Sequence, residues 1–200
     1  MSDPTRRHVI AGGAAAAALG ALPRPAHALT EARARNLVDQ VVTEINRVIA
    51  SGQPVSRMIS DFERIFARYA DVSIIARSTL GADANRISGA QMRAYTEAFR
   101  GYIARKYGKR FNEFKGGKIE VNGVRQVKSW HEVRATAYLP GQSPFEVNFL
   151  VSDRSGQDKF FDMVIEGVSM RLSERTEIGA MLDARSGNID RLIADLRTAG

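Results

Sequence analysis

The sequence contains no cysteine and only three histidines in 200 residues. Without cysteine it can form neither disulfides nor thiolate metal sites. His131 is the only histidine after residue 28, and it lies in a predicted strand with no nucleophile-elbow glycine pattern nearby. Lys115-Gly116-Gly117-Lys118 is too short for a phosphate loop and follows a predicted helix. Most common catalytic constellations are therefore excluded, and we expect neither a metal nor a cofactor.

The first 28 residues have the order of an export signal. Arg6-Arg7 precede an apolar run, Val9 to Leu22, and Ala26-His27-Ala28 supplies a small-x-small cleavage site. The run of about 14 residues is shorter than the ~20 that a membrane-spanning helix needs. The two arginines favour the twin-arginine route, but Val-Ile after His8 replaces the usual Phe-Leu, so the general route stays open. We expect residues 1–28 to be a signal peptide and residues 29–200 to form one exported domain.

The positive charge is mild and spread along the chain. Of the formal net charge of +7, Arg6, Arg7 and Arg24 against Asp3 account for +2 in the predicted signal. Export and the modest charge disfavour nucleic acid as a partner. One local cluster, Arg105 to Arg110 with Lys106 and Lys109, has two interpretations: a surface for an acidic headgroup or partner, or a solvated helix face.

Hydrophobic spacing predicts helices in two blocks. In the first block, apolar residues recur at three- and four-residue intervals over residues 30–50, 54–70, 72–80 and 88–115. Ser88 and Gln91 form a capping-box pattern at the start of the last of these helices. The second block, residues 174–184 and 188–197, ends the chain.

Between the helical blocks the period changes to two, which indicates strands. We predict strands over residues 118–121, 127–139, 144–152 and 159–170, with Asn122-Gly123 as a hairpin turn. Short turns between consecutive strands favour an antiparallel meander. The fold class is therefore α+β: N-terminal helices, a meander sheet of about four strands, and C-terminal helices.

Asp162 and Glu166 interrupt the last predicted strand and raise the question of carboxylate catalysis. On one strand they would lie roughly 13 Å apart, whereas paired glycosidase carboxylates lie about 5 to 9.5 Å apart. As a pair they are too distant. A hydrolase that joins one of them to an acidic residue elsewhere remains an alternative.

The long strand predicted over residues 127–139 carries small side chains, and the helix predicted over residues 88–115 carries large aromatic ones. This combination suggests space for an apolar ligand between sheet and helices. The alternative is an ordinary core in which the large helix residues fill that space. For the cavity interpretation, the expected lining residues are Tyr95, Phe99, Tyr102, Ile103, Val133, Ala135, Phe145, Val147, Phe149, Met163 and Ile165.

Three segments form a recognisable set: residues 92–100 with Tyr102 and Tyr107, residues 161–169 ("FDMVIEGVS"), and residues 187–196. Together they resemble the MlaC family of periplasmic phospholipid-binding proteins. The resemblance spans roughly residues 30–196. In this family pattern, Asp162 and Glu166 would orient the strand ends and the bend at Gly167 to Ser169.

The resemblance implies a soluble, monomeric periplasmic lipid carrier rather than an enzyme. Such a carrier would hold phospholipid acyl chains in the cavity and pass the lipid between an outer-membrane lipoprotein–porin complex and an inner-membrane ABC transporter with an MCE-domain ring. A hopanoid is an alternative cargo. The rivals from other classes are the acidic-residue hydrolase and an adaptor that binds only protein, which would have a fully packed core.

Overall fold

The computed structural model describes residues 28–200. The predicted export signal, which ends at residue 28, therefore lies outside the described residues apart from that last position. In the described part, the α-helices are α1 (Glu31–Ala50), α2 (Val55–Tyr69), α3 (Val72–Leu80), α4 (Gly89–Gly108), α5 (Met170–Asp183) and α6 (Ile189–Leu196). Two 3₁₀ turns, Gly81–Asn85 and Lys109–Asn112, follow α3 and α4 directly.

The strands lie between α4 and α5 along the chain and form one antiparallel meander. Their order in the sheet is the order in the sequence, so each strand pairs with its neighbour along the chain. They are β1 (Lys118–Val127), β2 (Trp130–Tyr138), β3 (Phe145–Ser152), β4 (Lys159–Ile165) and β5 (Val168–Ser169). The predicted α+β class and helix–sheet–helix order are confirmed, with five strands instead of about four.

Polar side chains fix where most helices begin. At five helix starts the N-cap side chain accepts a hydrogen bond from the backbone N–H two or three positions into the helix, which satisfies one of the donors that a helix leaves unpaired. The predicted capping box of α4 is present, with Ser88 and Gln91 bonding to each other's backbone N–H. The five capping residues are Thr30, Asp71, Ser88, Ser169 and Asn188.

The predicted hairpin turn at Asn122-Gly123 is wrong. These residues lie inside β1, where the register with β2 shifts between Val121 and Gly123, as in a β-bulge. The chain reverses instead at Lys128-Ser129, and Lys128 has a φ of 54°. An Asn-Gly pair suits a bulge as well as a turn because both residue types tolerate unusual backbone angles.

The single strand predicted over residues 159–170 is also wrong. It divides into β4, a two-residue turn, β5 and the first residue of α5. Glu166 and Gly167 form the turn, with φ of 48° and 82°, the paired positive values of a tight hairpin. An irregularity near Phe161 places Phe160 opposite Val151 and Met163 opposite Phe149, so that Phe160 and Met163 share the inner face.

The helix that lies across the inner face of the sheet is α1, which packs against β1, β2 and β3. The large aromatic side chains that we expect to face the sheet lie on α4, but α4 packs mainly against α2, α3 and α6. Asn46 on α1 also bonds to both backbone groups of Ile119 on the edge strand β1 (2.9 and 2.8 Å). Part of that edge is therefore covered, as exposed strand edges require.

Asp162 connects the end of the sheet to α5. Its side chain is buried at 2% exposure. It accepts hydrogen bonds from the backbone N–H of Met163 (2.9 Å) and Arg171 (3.0 Å) and from the Ser169 hydroxyl (2.6 Å). The Glu166 side chain is exposed at the hairpin tip. Asp162 therefore orients the bend through its carboxylate, whereas Glu166 contributes the backbone conformation of the turn.

Substituting Asp162 by alanine should lower the free energy of unfolding by about 3 kcal/mol, because it leaves buried donors without an acceptor. The matched control is Glu166→Gln, which changes an exposed carboxylate and should stay within about 0.5 kcal/mol of the wild type. Urea denaturation of both variants measures this difference. Equal stabilities for the two variants would contradict the role given to Asp162.

Candidate functional site

A cavity of about 110 Å³ lies between the sheet and the helices. Its floor is the inner face of the sheet at the end where β2 leaves and β3 enters. Its other walls come from α1, α2, the last turn of α4 and the segment that follows α4. The sheet and the loop after β2 supply Ile119, Ala137, Leu139, Phe145, Val147, Phe149, Met163 and Ile165, and the helical side supplies Ile45, Ile49, Phe62, Tyr107, Arg110, Phe111 and Phe114.

The lining is apolar with two exceptions, Tyr107 and Arg110. The Tyr107 hydroxyl is unavailable to a ligand, because it donates a 2.5 Å hydrogen bond to the Glu174 carboxylate on α5. Arg110 belongs to the 3₁₀ turn after α4 and is exposed. Since Arg110 is exposed and also lines the cavity, the cavity reaches the protein surface beside it.

Beyond Tyr107 lies a polar network that joins α4 to α5. Glu174 is fully buried, and one of its oxygens also accepts a 2.7 Å bond from Lys106. Lys106 bonds in addition to Glu177 (2.5 Å), which accepts a 2.6 Å bond from the Tyr102 hydroxyl. The Lys106 ammonium group is thus shared between two carboxylates, one buried and one half-exposed.

The two phenols of this network and the Glu177 carboxylate have shifted pKa values. Burial, with the hydrogen bond to Glu174, raises the pKa of Tyr107, and burial with the bond to Glu177 raises that of Tyr102. Burial opposes ionisation of Glu177, but the bonds from Lys106 and Tyr102 outweigh it and lower its pKa. Both phenols therefore stay protonated donors, and neither is a nucleophile or a base at neutral pH.

Comparison with known proteins agrees with this architecture. The family model described as "MlaC protein" matches residues 35–198. The chain belongs to the MlaC family. A solved structure of a phospholipid-binding protein from Ralstonia solanacearum, in complex with a phospholipid, has a similar fold, with a TM-score of 0.68. The two share 16% sequence identity, and the match covers 82% of this chain and 98% of that one.

Five of the residues predicted from the sequence line the cavity of this MlaC protein. They lie on β3 and β4 and are Phe145, Val147, Phe149, Met163 and Ile165. The structure brings them together because the cross-strand pairs Val147–Ile165 and Phe149–Met163 place them on one face. Their contact with a ligand stays a prediction.

The other six predicted residues lie in the packed core outside the cavity lining. Val133 and Ala135 lie on β2, which contacts α1. The remaining four are on α4, where the Phe99 ring packs at a tilt between those of Tyr95 and Tyr102, and the hydroxyls of Tyr95 and Thr79 share a 2.7 Å hydrogen bond. The six, all no more than 2% exposed, are Tyr95, Phe99, Tyr102, Ile103, Val133 and Ala135.

Sequence reasoning missed the helical wall of the cavity. Ile45 and Ile49 belong to the apolar stripe of α1, but the sequence does not show that α1 is the helix on the sheet. Phe111 and Phe114 extend the aromatic spacing of α4 by four and seven residues beyond Tyr107. This continued aromatic spacing is the sequence signal for the helical wall. It indicates that the cavity lies at the end of α4 and not at its middle.

The structure gives the hydrolase alternative no support. The Asp162 carboxylate is buried and accepts three hydrogen bonds, and Glu166 lies at an exposed turn. Among residues 28–200, no group of three or more histidine, aspartate or glutamate side chains is placed to hold a metal ion. No helix in this described part is long and apolar enough to cross a membrane.

Replacing Lys106 by methionine should cost about 3 kcal/mol of unfolding free energy, because the buried charge of Glu174 then has no counter-charge. The double variant Lys106→Met/Glu174→Gln should recover most of that loss, since a neutral amide still accepts the Tyr107 hydrogen bond. Chemical denaturation of the single and double variants measures the coupling.

Lys109→Met is the matched control, because it removes an exposed lysine three residues away and should change stability by no more than about 0.5 kcal/mol. A double variant that is less stable than Lys106→Met would show that charge compensation is not what Lys106 supplies.

Proposed function

We propose that this MlaC protein is a periplasmic carrier that holds the acyl chains of a phospholipid in the cavity between α1 and the sheet. The observation that carries the proposal is the lining itself: it is apolar on all sides and reaches the surface beside one exposed cation. Ligand pockets are usually apolar, with a few placed polar groups. The phospholipid bound to the Ralstonia solanacearum protein of similar fold supports the choice of ligand.

A lipid needs such a site because its acyl chains cannot cross water uncovered. Each buried CH₂ contributes roughly 0.8 kcal/mol, so a long chain gains more than enough to stay bound through an aqueous compartment. The hydrogen bond from Tyr107 to Glu174 turns the one phenol of the lining away from the chain. Apart from Arg110 at the surface, the lining therefore offers an acyl chain apolar contacts with no unpaired polar group to desolvate.

The cavity must widen to take a lipid. Its volume of about 110 Å³ is below the roughly 300 to 1,000 Å³ of small-molecule pockets. We propose that the segment after α4 is the wall that moves, and it contributes the rings of Phe111 and Phe114 to the cavity lining. Phe111 packs edge-on against Phe62 of α2, with ring centroids 5.2 Å apart, and its ring is tilted against that of Phe114, with centroids 6.1 Å apart. We propose that these rings separate from the sheet when acyl chains enter.

The finer steps of transport rest on the sequence. The predicted export signal supports the periplasm as the location. The family resemblance supports exchange with an inner-membrane MCE-domain ABC transporter and with an outer-membrane lipoprotein–porin complex. These partners remain proposals for this chain.

The direct test is to express the full chain, recover it from the periplasmic fraction and extract it with organic solvent. Mass spectrometry should find phospholipid in the extract, and the apo protein should take up a fluorescent phospholipid. A polycyclic lipid in place of phospholipid would select the hopanoid alternative. If the extract holds no lipid and the apo protein takes up none, the protein-only adaptor becomes the better explanation.

Filling the cavity should weaken lipid uptake strongly without unfolding the protein. Ala137→Leu adds three carbon atoms on the sheet floor, and the existing space limits the overpacking cost to about 1 kcal/mol. Uptake of fluorescent phospholipid should fall by about tenfold or more, since each excluded CH₂ forfeits ~0.8 kcal/mol. Ala90→Leu, the same change at an exposed position of α4, is the control and should bind normally. Full uptake by a folded Ala137→Leu variant would place the lipid elsewhere.

A further inference from the structure

The basic cluster at the end of α4 does not act as one surface. Arg105 bonds to the carbonyl oxygens of Leu196 and Ala199 and so caps the C-terminus of α6. Lys106 is engaged with Glu174 and Glu177. Two of the four cations are therefore already bonded to other groups of the protein. The exposed pair is Lys109 and Arg110.

Arg110 differs from Lys109 in its position relative to the cavity. Arg110 contributes to the cavity lining and Lys109 does not. Within residues 28–200, the Arg110 guanidinium makes neither an ion pair nor a hydrogen bond, even with Glu113 three residues later. Among the described lining residues, the only free charge is thus the Arg110 guanidinium, where the cavity reaches the protein surface.

This arrangement specifies the chemistry of the ligand. A cavity with apolar walls and one unpaired cation at its mouth fits a molecule whose long apolar part ends directly in an anion. A guanidinium binds phosphate through two parallel hydrogen bonds, a fixed geometry that an ammonium group does not offer. A neutral polycyclic or diacyl lipid offers it no counter-charge.

Building on the proposed function, we infer that Arg110 binds the phosphate that joins the acyl-bearing part of a phospholipid to its headgroup, and so selects phospholipids over neutral lipids. The part of the headgroup beyond the phosphate lies toward solvent. The site then recognises the phosphate and the acyl chains and does not distinguish one headgroup from another. Arg110 is a specificity residue, and the acyl chains supply most of the affinity.

The test compares lipids that share acyl chains and differ in the anion. Wild type, Arg110→Gln, Arg110→Lys and Lys109→Gln are titrated with fluorescent phosphatidic acid, phosphatidylglycerol, the matching diacylglycerol and the free fatty acid. Thermal melts confirm that each variant is folded. Lys109→Gln is the matched control, because it removes the same charge one residue away from the lining.

Arg110→Gln should weaken both phosphate lipids by about tenfold, the effect of one lost charge-assisted hydrogen-bond pair, and leave diacylglycerol unchanged. Arg110→Lys should recover only part of this loss. Lys109→Gln should leave the affinities for the phosphate lipids and for diacylglycerol unchanged. Raising the salt concentration should reduce the preference of the wild type for phosphate lipids over diacylglycerol. It should have little effect on the affinities of Arg110→Gln.

Three results would overturn the inference: equal weakening of phosphate lipids and diacylglycerol by Arg110→Gln, an equal effect of Lys109→Gln, or an effect on the fatty acid that matches the effect on phosphate lipids. A wild-type protein that takes up diacylglycerol and phospholipid equally would overturn it while leaving the carrier function intact. Uptake of no lipid by the wild type would instead overturn the proposed function itself.

Discussion

The hydrogen bond between Tyr107 and Glu174 is the interaction on which the arrangement of the cavity depends. Tyr107 stands at the last turn of α4, with its ring in the cavity wall and its hydroxyl in the polar network that joins α4 to α5. The bond orients one side chain so that it presents carbon to the cavity and oxygen to Glu174. The same network includes Lys106, which balances the buried charge. An apolar cavity and a buried carboxylate can thus lie a single residue apart.

Much of the fold follows from local pattern. The helix and strand order, the α4 capping box and the antiparallel meander could be predicted because each depends on neighbours in sequence: periodicity, an N-cap hydroxyl, short turns. The wrong predictions concern motifs that are compatible with two different backbone conformations. Asn122-Gly123 forms a bulge instead of a hairpin, and the run from Lys159 to Met170 holds a tight turn at Glu166-Gly167 that its apolar residues conceal.

The site was less predictable because it depends on which helix meets the sheet. The predicted floor residues on β3 and β4 do line the cavity, since strand alternation fixes their common face. The aromatic residues in the middle of α4 are packed against other helices. Nothing local in the sequence indicates that α1 lies across β1 to β3, or that the open space lies at one end of the sheet. Arg110 became distinct from its basic neighbours only once the tertiary structure showed that Arg105 and Lys106 were already bound.

The central claim is that acyl chains bind between α1 and the inner face of the sheet. The most direct measurement is photo-crosslinking with a phospholipid that carries a diazirine at the end of one acyl chain, followed by peptide mass spectrometry. The account predicts adducts in the peptides that contain Ile45 and Ile49 of α1 or Val147 and Phe149 of β3. Adducts confined to the outer face of the sheet, or to the exposed faces of α5 and α6, would contradict it.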